Sequence, residues 1–128
     1  MSPLSLLTTL AALAASTLAA NSGQATFYGG NTQGGACSFS TYTLPSTLFG
    51  TALSDSNWDN SANCGACVSV TYGGKSITAM IVDECPGCGQ NHLDLFPDAF
   101  SELADQSEGV IDVSTQTGRA LEDCVQLC

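Results

Sequence analysis

The stretch Ile81–Phe100, IVDECPGCGQNHLDLFPDAF, concentrates the chemistry of this chain. An apolar run ends on Asp83, a tight loop with two cysteines follows at 85–89, and His92 and Asp94 then alternate with two leucines. Because side chains alternate between the two faces of a strand, we expect His92 and Asp94 to share a face. The short loop would bring Asp83 and Asp94 toward each other. The stretch therefore predicts a polar site built on strands.

Two carboxylates close together admit two interpretations. Glycoside hydrolysis needs two carboxyl groups on either side of the sugar bond, one protonated and one ionised. Alternatively, Asp83 and Asp94 are aspartates at strand ends that only make hydrogen bonds. His92 does not decide between the two, since an isolated histidine is equally compatible with a surface position. The carboxylates alone leave catalysis and binding open.

The 128 residues are enough for one domain. Residues 1–20, MSPLSLLTTLAALAASTLAA, carry no charge and end in small residues, which is typical of a secretory signal peptide. A membrane anchor is the alternative, but serine and threonine interrupt the short apolar run. We expect a secreted, extracellular protein with a single domain at 21–128.

The formal net charge is −10, and Lys75 and Arg119 are the only strong bases. This composition disfavours nucleic acid and anionic membrane surfaces as partners, because both require a basic patch. With few charges and many small polar residues, the surface is expected to be neutral and polar. A neutral glycan fits such a surface.

Short strands separated by glycine-rich turns dominate the predicted secondary structure. Gly73–Gly74 suits a two-residue hairpin turn, and Pro97 suits the first turn of a helix. A second short helix is compatible with Gly118–Leu127. The predicted strands are Gln24–Tyr28, Thr51–Leu53, Cys67–Tyr72, Lys75–Val82, His92–Leu95 and Gly109–Ser114. This pattern predicts a mainly β fold, a small barrel with one or two short helices.

Seven cysteines in a short secreted chain predict a disulfide-stapled domain with one cysteine left over. The motifs Cys64-x-x-Cys67 and Cys85-x-x-Cys88 also match a four-cysteine zinc site, and the second matches a redox pair. The oxidising compartment and the three further cysteines favour disulfides, so we expect no metal and no cofactor. The sequence favours Cys85–Cys88 as a local staple, whereas spacing does not fix the other pairs.

Four aromatic residues lie in polar segments: Tyr28, Phe39, Tyr42 and Trp58. Ring faces complement the apolar faces of pyranoses, so these residues are candidate stacking platforms. Some of them are expected to belong to the core instead.

Seven segments together resemble the double-psi β-barrel domain of expansins. They are, in order, GQATFYGGN, GGAC, TALS, NCGACVSV, GKSITAMIVDECPGC, HLDLFPDAF and GVIDVS. The chain is most similar to the single-domain fungal expansin-like proteins called loosenins, over about residues 23–114. The resemblance implies a six-stranded double-psi β-barrel with an open groove. It also implies a plant or fungal wall polysaccharide as partner, such as cellulose, chitin or a related glucan, that is loosened without hydrolysis.

The resemblance assigns roles to individual residues. Thr26, Asp83 and Asp94 match the polar residues of the expansin groove, with Asp94 the essential acid. Tyr28, Trp58 and His92 are further candidates for contact with the polysaccharide. The aromatic residue that the family carries two positions after the first aspartate is replaced here by Cys85.

The cysteines and the overall organisation are also assigned by the resemblance. It implies the pairs Cys37–Cys64, Cys67–Cys124 and Cys85–Cys88, with Cys128 left over. The second, carbohydrate-binding domain of full expansins is not expected, so affinity for polymer should be weak and the protein a monomer. Relatives continue the last strand through a tryptophan, where this chain has Ser114-Thr115.

The first strand argues against hydrolysis. Related family-45 endoglucanases carry their general base there, whereas this chain has Thr26-Phe27-Tyr28-Gly29 without a carboxylate. An inverting mechanism that lacks its base cannot activate water. One hydrolase subgroup uses a different base, so a weak glycosidase or lytic transglycosylase is the first alternative. The second is a non-enzymatic protein-interaction module, a protease inhibitor or host-directed effector.

Overall fold

The computed structural model describes residues 20–118 and Cys124. Its strands are β1 Asn21–Phe27, β2 Phe49–Ser54, β3 Cys67–Tyr72, β4 Lys75–Cys85, β5 Leu93–Leu95 and β6 Ile111–Gly118. Its helices are α1 Asp55–Trp58 and α2 Pro97–Leu103, followed by a 3-10 turn at Gln106–Glu108. The expected signal peptide, the helix considered at Gly118–Leu127 and Cys128 lie outside the described residues, apart from Ala20, Gly118 and Cys124.

The six strands close into a barrel in the order β1-β5-β2-β4-β3-β6. The β1–β5 and β2–β4 pairs are parallel, and the other four pairs are antiparallel. This arrangement confirms the predicted six-stranded barrel. Closure also removes the unpaired sheet edges that would expose backbone donors and acceptors to other chains.

Several predicted boundaries are wrong. Strand β1 starts at Asn21 instead of Gln24, and β6 starts at Ile111 and continues past Ser114 to Gly118. Strand β4 extends to Cys85, so Asp83 lies inside the strand. Helix α1 lies in the polar segment that carries Trp58, where no strand or helix was predicted.

Helix α1 forms because its first turn is capped. The Ser54 side chain accepts a hydrogen bond from the Ser56 backbone N–H at 3.1 Å, and Asp55 adds a negative charge to the first turn. Four residues are too short to show a hydrophobic period, so the sequence pattern does not reveal this helix.

The barrel interior holds the main core. Strand β4 is buried on both faces, as its continuous apolar run predicted: Ile77, Ala79 and Ile81 join the interior, whereas Met80 and Val82 pack outside it. The outer cluster is covered by Phe39, Tyr42, Leu44, Leu48 and Phe96. Two of the candidate stacking residues therefore pack against this outer cluster.

Helix α2 closes one side of the core. It buries Ala99, Phe100 and Leu103, and the Phe100 ring lies 4.8 Å from that of Phe27. Burial of a phenylalanine side chain contributes roughly 1.5–3 kcal/mol to the free energy of unfolding. The helix thereby fixes the end of β1, from which Tyr28 projects.

Three disulfides join Cys37 to Cys64, Cys67 to Cys124 and Cys85 to Cys88. The cysteines of the two Cys-x-x-Cys motifs are thus divided among three bonds, which removes the basis of the zinc interpretation. Within the part of the chain that the structure describes, no helix has the length and hydropathy needed to cross a bilayer.

Candidate functional site

The site is a row of four residues across four adjacent strands. Thr26 on β1 lies opposite Asp94 on β5, Asp94 lies opposite Ala52 on β2, and Ala52 lies opposite Asp83 on β4. Residues directly opposite each other on paired strands point to the same face. Two strand spacings of about 4.8 Å separate the backbones of the two aspartates by roughly 10 Å. Ala52, which lies between the two aspartates in the row, is buried.

A β-bulge brings Asp83 into this row. The β2–β4 register shifts between Thr51 and Ala52, so that Thr51 pairs with Ile81 but Ala52 pairs with Asp83, and Val82 is the extra residue. Without the bulge, period-two alternation would direct Asp83 to the same face as the buried Ile81. Sequence reasoning missed both the bulge and Ala52, since no composition signal marks either.

At the β5 end of the row, one hydroxyl links two side chains. The Thr26 hydroxyl donates to Asp94 Oδ1 at 2.9 Å and lies 2.8 Å from His92 Nε2. Because that hydroxyl has a single proton, His92 Nε2 must donate to Thr26 Oγ1 when Thr26 donates to Asp94. Among the described residues, no hydrogen bond reaches Asp94 Oδ2. Asp94 therefore has an acceptor oxygen available to a ligand.

At the β4 end of the row, both carboxylate oxygens of Asp83 accept hydrogen bonds. Its Oδ2 accepts from the Tyr28 hydroxyl at 2.9 Å, and its Oδ1 accepts from the backbone N–H groups of Ala36 at 2.7 Å and Glu84 at 2.9 Å. Gly35 permits the approach, because a Cβ there would lie 2.2 Å from the Val82 carbonyl oxygen. Asp83 thus holds the loop that follows β1 against β4.

Tyr28 donates a hydrogen bond to Asp83 and is also affected by the charge of Asp94. Burial, the hydrogen bond to Asp83 and the negative charges of Asp83 and Asp94 all raise its pKa far above the usual range. The ring also makes an edge contact with Phe96 at 5.8 Å. The phenol therefore stays protonated and acts as a hydrogen-bond donor, not as a base.

The structure joins five of the six candidate residues into two adjoining hydrogen-bond groups: Thr26, His92 and Asp94 in one, Tyr28 and Asp83 in the other. Trp58, the sixth, is half-buried at the end of α1 and packs against the core. Its contact with a polysaccharide stays a prediction. Cys85, two residues after Asp83, forms a disulfide with Cys88.

Residues 20–115 match the double-psi β-barrel family model described as lytic transglycolase. This match covers three quarters of the chain, and its fold is the closed barrel found here. The chain is an expansin-like member of that family.

Curated relatives agree with this assignment of the expansin-like chain. Expansin-like protein 5 of Dictyostelium discoideum is 37% identical over 100 residues, which cover 72% of this chain and 42% of the relative. The chain therefore spans less than half the length of that relative.

Two solved structures are similar to the expansin-like barrel. A point mutant of a Clavibacter michiganensis expansin, in complex with cellohexaose, is 32% identical with a TM-score of 0.70, covering 79% of this chain and 51% of that one. The Streptomyces papain inhibitor is 29% identical with a TM-score of 0.63, covering 79% of this chain and 96% of that one.

Proposed function

We propose that this protein is secreted, binds a neutral wall polysaccharide such as cellulose, chitin or a related glucan in the groove above the Thr26–Asp83 row, and loosens it without hydrolysis. The proposal rests on one observation: among the described residues no hydrogen bond reaches Asp94 Oδ2, whereas both oxygens of Asp83 accept hydrogen bonds. A carboxylate oxygen accepts strong hydrogen bonds from sugar hydroxyls.

The surroundings of Asp94 support binding without cleavage. Inverting hydrolysis needs a second carboxylate that activates water, and retaining hydrolysis needs one that attacks the sugar. Asp83 accepts three hydrogen bonds, and Tyr28 keeps its proton. Of the residues in the row, Asp94 is therefore the one that can accept hydrogen bonds from a glycan and so replace hydrogen bonds between glycan chains. The cellohexaose complex of the Clavibacter expansin supports the choice of a glucan.

The test is a depletion assay on amorphous cellulose, chitin and mixed-linkage glucan. Wild type should bind at least one of them, and Asp94→Ala should lose most of that binding while remaining folded. Reducing ends should not rise above the level of the Asp94→Ala control. If wild type, but not Asp94→Ala, releases reducing ends or transglycosylase products, the glycosidase alternative replaces this proposal.

The papain inhibitor is the specific observation that favours a second candidate, a protein-interaction module. Its barrel corresponds to this one over nearly its whole length. Inhibition of papain in the absence of binding to any polysaccharide of the panel would support this candidate.

Secretion is supported by the composition of residues 1–20 and by the three disulfides, which persist in oxidising compartments. Recovery of the protein from the culture medium with an N-terminus near residue 21 would test it. Retention of the full chain in the cell would contradict it.

A further inference from the structure

A cavity lies at one end of the barrel, apart from the Thr26–Asp83 row. It has a volume of about 380 Å³, within the range of roughly 300–1,000 Å³ that is usual for small-molecule sites. Strand β5 separates the two sites: Leu93 lines the cavity, whereas its neighbours His92 and Asp94 belong to the groove network. None of the groove residues lines the cavity.

The floor of the cavity is apolar and rigid. Leu53, Val68, Ile81 and Leu93 are nearly or fully buried and belong to the barrel core. Each comes from a different strand, so the floor is fixed by four separate positions in the barrel. Such a floor can accept the apolar face of a ligand.

The polar part of the cavity lining consists of uncharged side chains, of which Thr115 is buried: Asn21, Asn57, Asn63, Asn91, Thr115 and Thr117. Asn57 and Asn91 hold each other, because Asn57 Nδ2 donates to Asn91 Oδ1 at 3.2 Å and the Asn91 backbone N–H donates to Asn57 Oδ1 at 2.7 Å. Asn63 Nδ2 donates to the Asn57 carbonyl oxygen at 2.8 Å. These bonds orient the amides before any ligand arrives.

The backbone beside the polar lining is also constrained. Asn91 has a positive φ of 60°, and a Cβ on Gly23 would lie 2.0 Å from its carbonyl oxygen. Glycine at position 23 thus lets β1 approach the Asn91 turn closely. Each amide still has hydrogen-bonding capacity, since a side-chain amide offers two donors and two acceptor lone pairs.

From this geometry we propose that the barrel-end cavity binds one or two units of an uncharged saccharide. A pyranose has an apolar face for the leucine and isoleucine floor and a ring of hydroxyls for the amides of the polar lining. The side chains that line the cavity are uncharged, so they offer no charged partner to an ionic ligand. The ligand is either a free short saccharide or the end of a longer chain.

The test is a titration of isotope-labelled protein with cellobiose and with cellohexaose, followed by NMR. Saturable shifts are expected for the side-chain amides of Asn57 and Asn63 and for the methyl groups of Leu53. If cellobiose produces the shifts and cellohexaose does not, the ligand is a free short saccharide. If cellohexaose produces them at a concentration equal to or lower than that of cellobiose, the ligand is the end of a longer chain.

Three variants make the test specific to the cavity. Thr117→Trp should fill the opening and abolish the shifts, whereas Thr117→Ser is the matched control and should keep them. Asn63→Ala should weaken binding roughly fivefold, as for the loss of one hydrogen bond. Asp94→Ala should leave cavity binding unchanged, which separates this site from the groove. Shifts confined to groove residues, or unchanged in Thr117→Trp, would overturn the proposal.

Discussion

Asp83 and Asp94 lie in the same row of residues and both carry a carboxylate, but their surroundings differ. Asp83 accepts three hydrogen bonds from Tyr28, Ala36 and Glu84, and so joins two segments of backbone and an aromatic side chain. The Asp94 carboxylate accepts one, from Thr26. The difference teaches that a carboxylate in a groove is not by itself a ligand-binding group, because its hydrogen-bonding capacity can already be used by the fold.

The comparison predicts that Asp83 stabilises the fold and that Asp94 binds the ligand. Removing Asp83 should mainly lower the free energy of unfolding, whereas removing Asp94 should mainly lower affinity for a ligand. The variants below follow in order of their expected effect on the free energy of unfolding.

Asp83→Ala is expected to have the largest effect. It removes two acceptor oxygens and the three hydrogen bonds that they accept, two of them at Oδ1, and leaves the half-buried Tyr28 hydroxyl without its partner. Hydrogen bonds to charged groups contribute about 1.5–3 kcal/mol each, so with partial compensation by water the loss should be about 3 kcal/mol. Urea unfolding at neutral pH measures it.

Asp83→Asn is the matched control for this prediction. Its remaining oxygen can still accept from both backbone N–H groups, so less than half of the loss is expected. An Asp83→Ala variant as stable as wild type would contradict the anchoring role of Asp83.

Tyr28→Phe should cost about 1 kcal/mol at neutral pH, since it deletes one hydrogen bond and keeps the ring. It should also change the response to alkali. The folded protein raises the pKa of Tyr28, so its contribution to stability is present below the unfolded pKa of about 10 and is lost as pH rises through that value toward the folded pKa.

The alkaline part of this prediction is checked by unfolding both proteins in urea between about pH 8.5 and 11. Tyr42 and Tyr72 are present in both, so the difference between the two curves isolates Tyr28. The gap between wild type and Tyr28→Phe should narrow as pH rises. A gap independent of pH would show that Tyr28 ionises normally.

Thr26→Val removes the hydroxyl that links His92 to Asp94 while keeping the shape of the side chain. We expect a loss of stability of at most about 1 kcal/mol and a binding loss of roughly three- to tenfold, because Asp94 is no longer held in position. Thr26→Ser should restore both. Binding equal to wild type in the valine variant would show that Asp94 needs no such support.

Much of this architecture was predictable because it depends on period-two patterns and glycine turns. The strands and the common face of His92 and Asp94 follow from alternation, and burial of β4 on both faces follows from its continuous apolar run. The different roles of Asp83 and Asp94 were not predictable from the sequence. They depend on the Val82 bulge and on the Ala36 backbone N–H, and neither leaves a composition signal. The half-buried position of Trp58 against the core depends on α1, which is too short to be recognised in sequence.

The most direct test of the central claim is the binding isotherm of Asp94→Asn on the polysaccharide that wild type binds best, beside Asp112→Asn. Asp112 is exposed on β6, outside the Thr26–Asp83 row. Asp112→Asn therefore removes one negative charge, as Asp94→Asn does, at a position away from the site. We expect Asp94→Asn to lose at least roughly tenfold in affinity with a change below about 0.5 kcal/mol in the free energy of unfolding, and Asp112→Asn to bind like wild type. Equal affinity of Asp94→Asn and wild type would contradict the assignment of Asp94 as the residue that holds the polysaccharide.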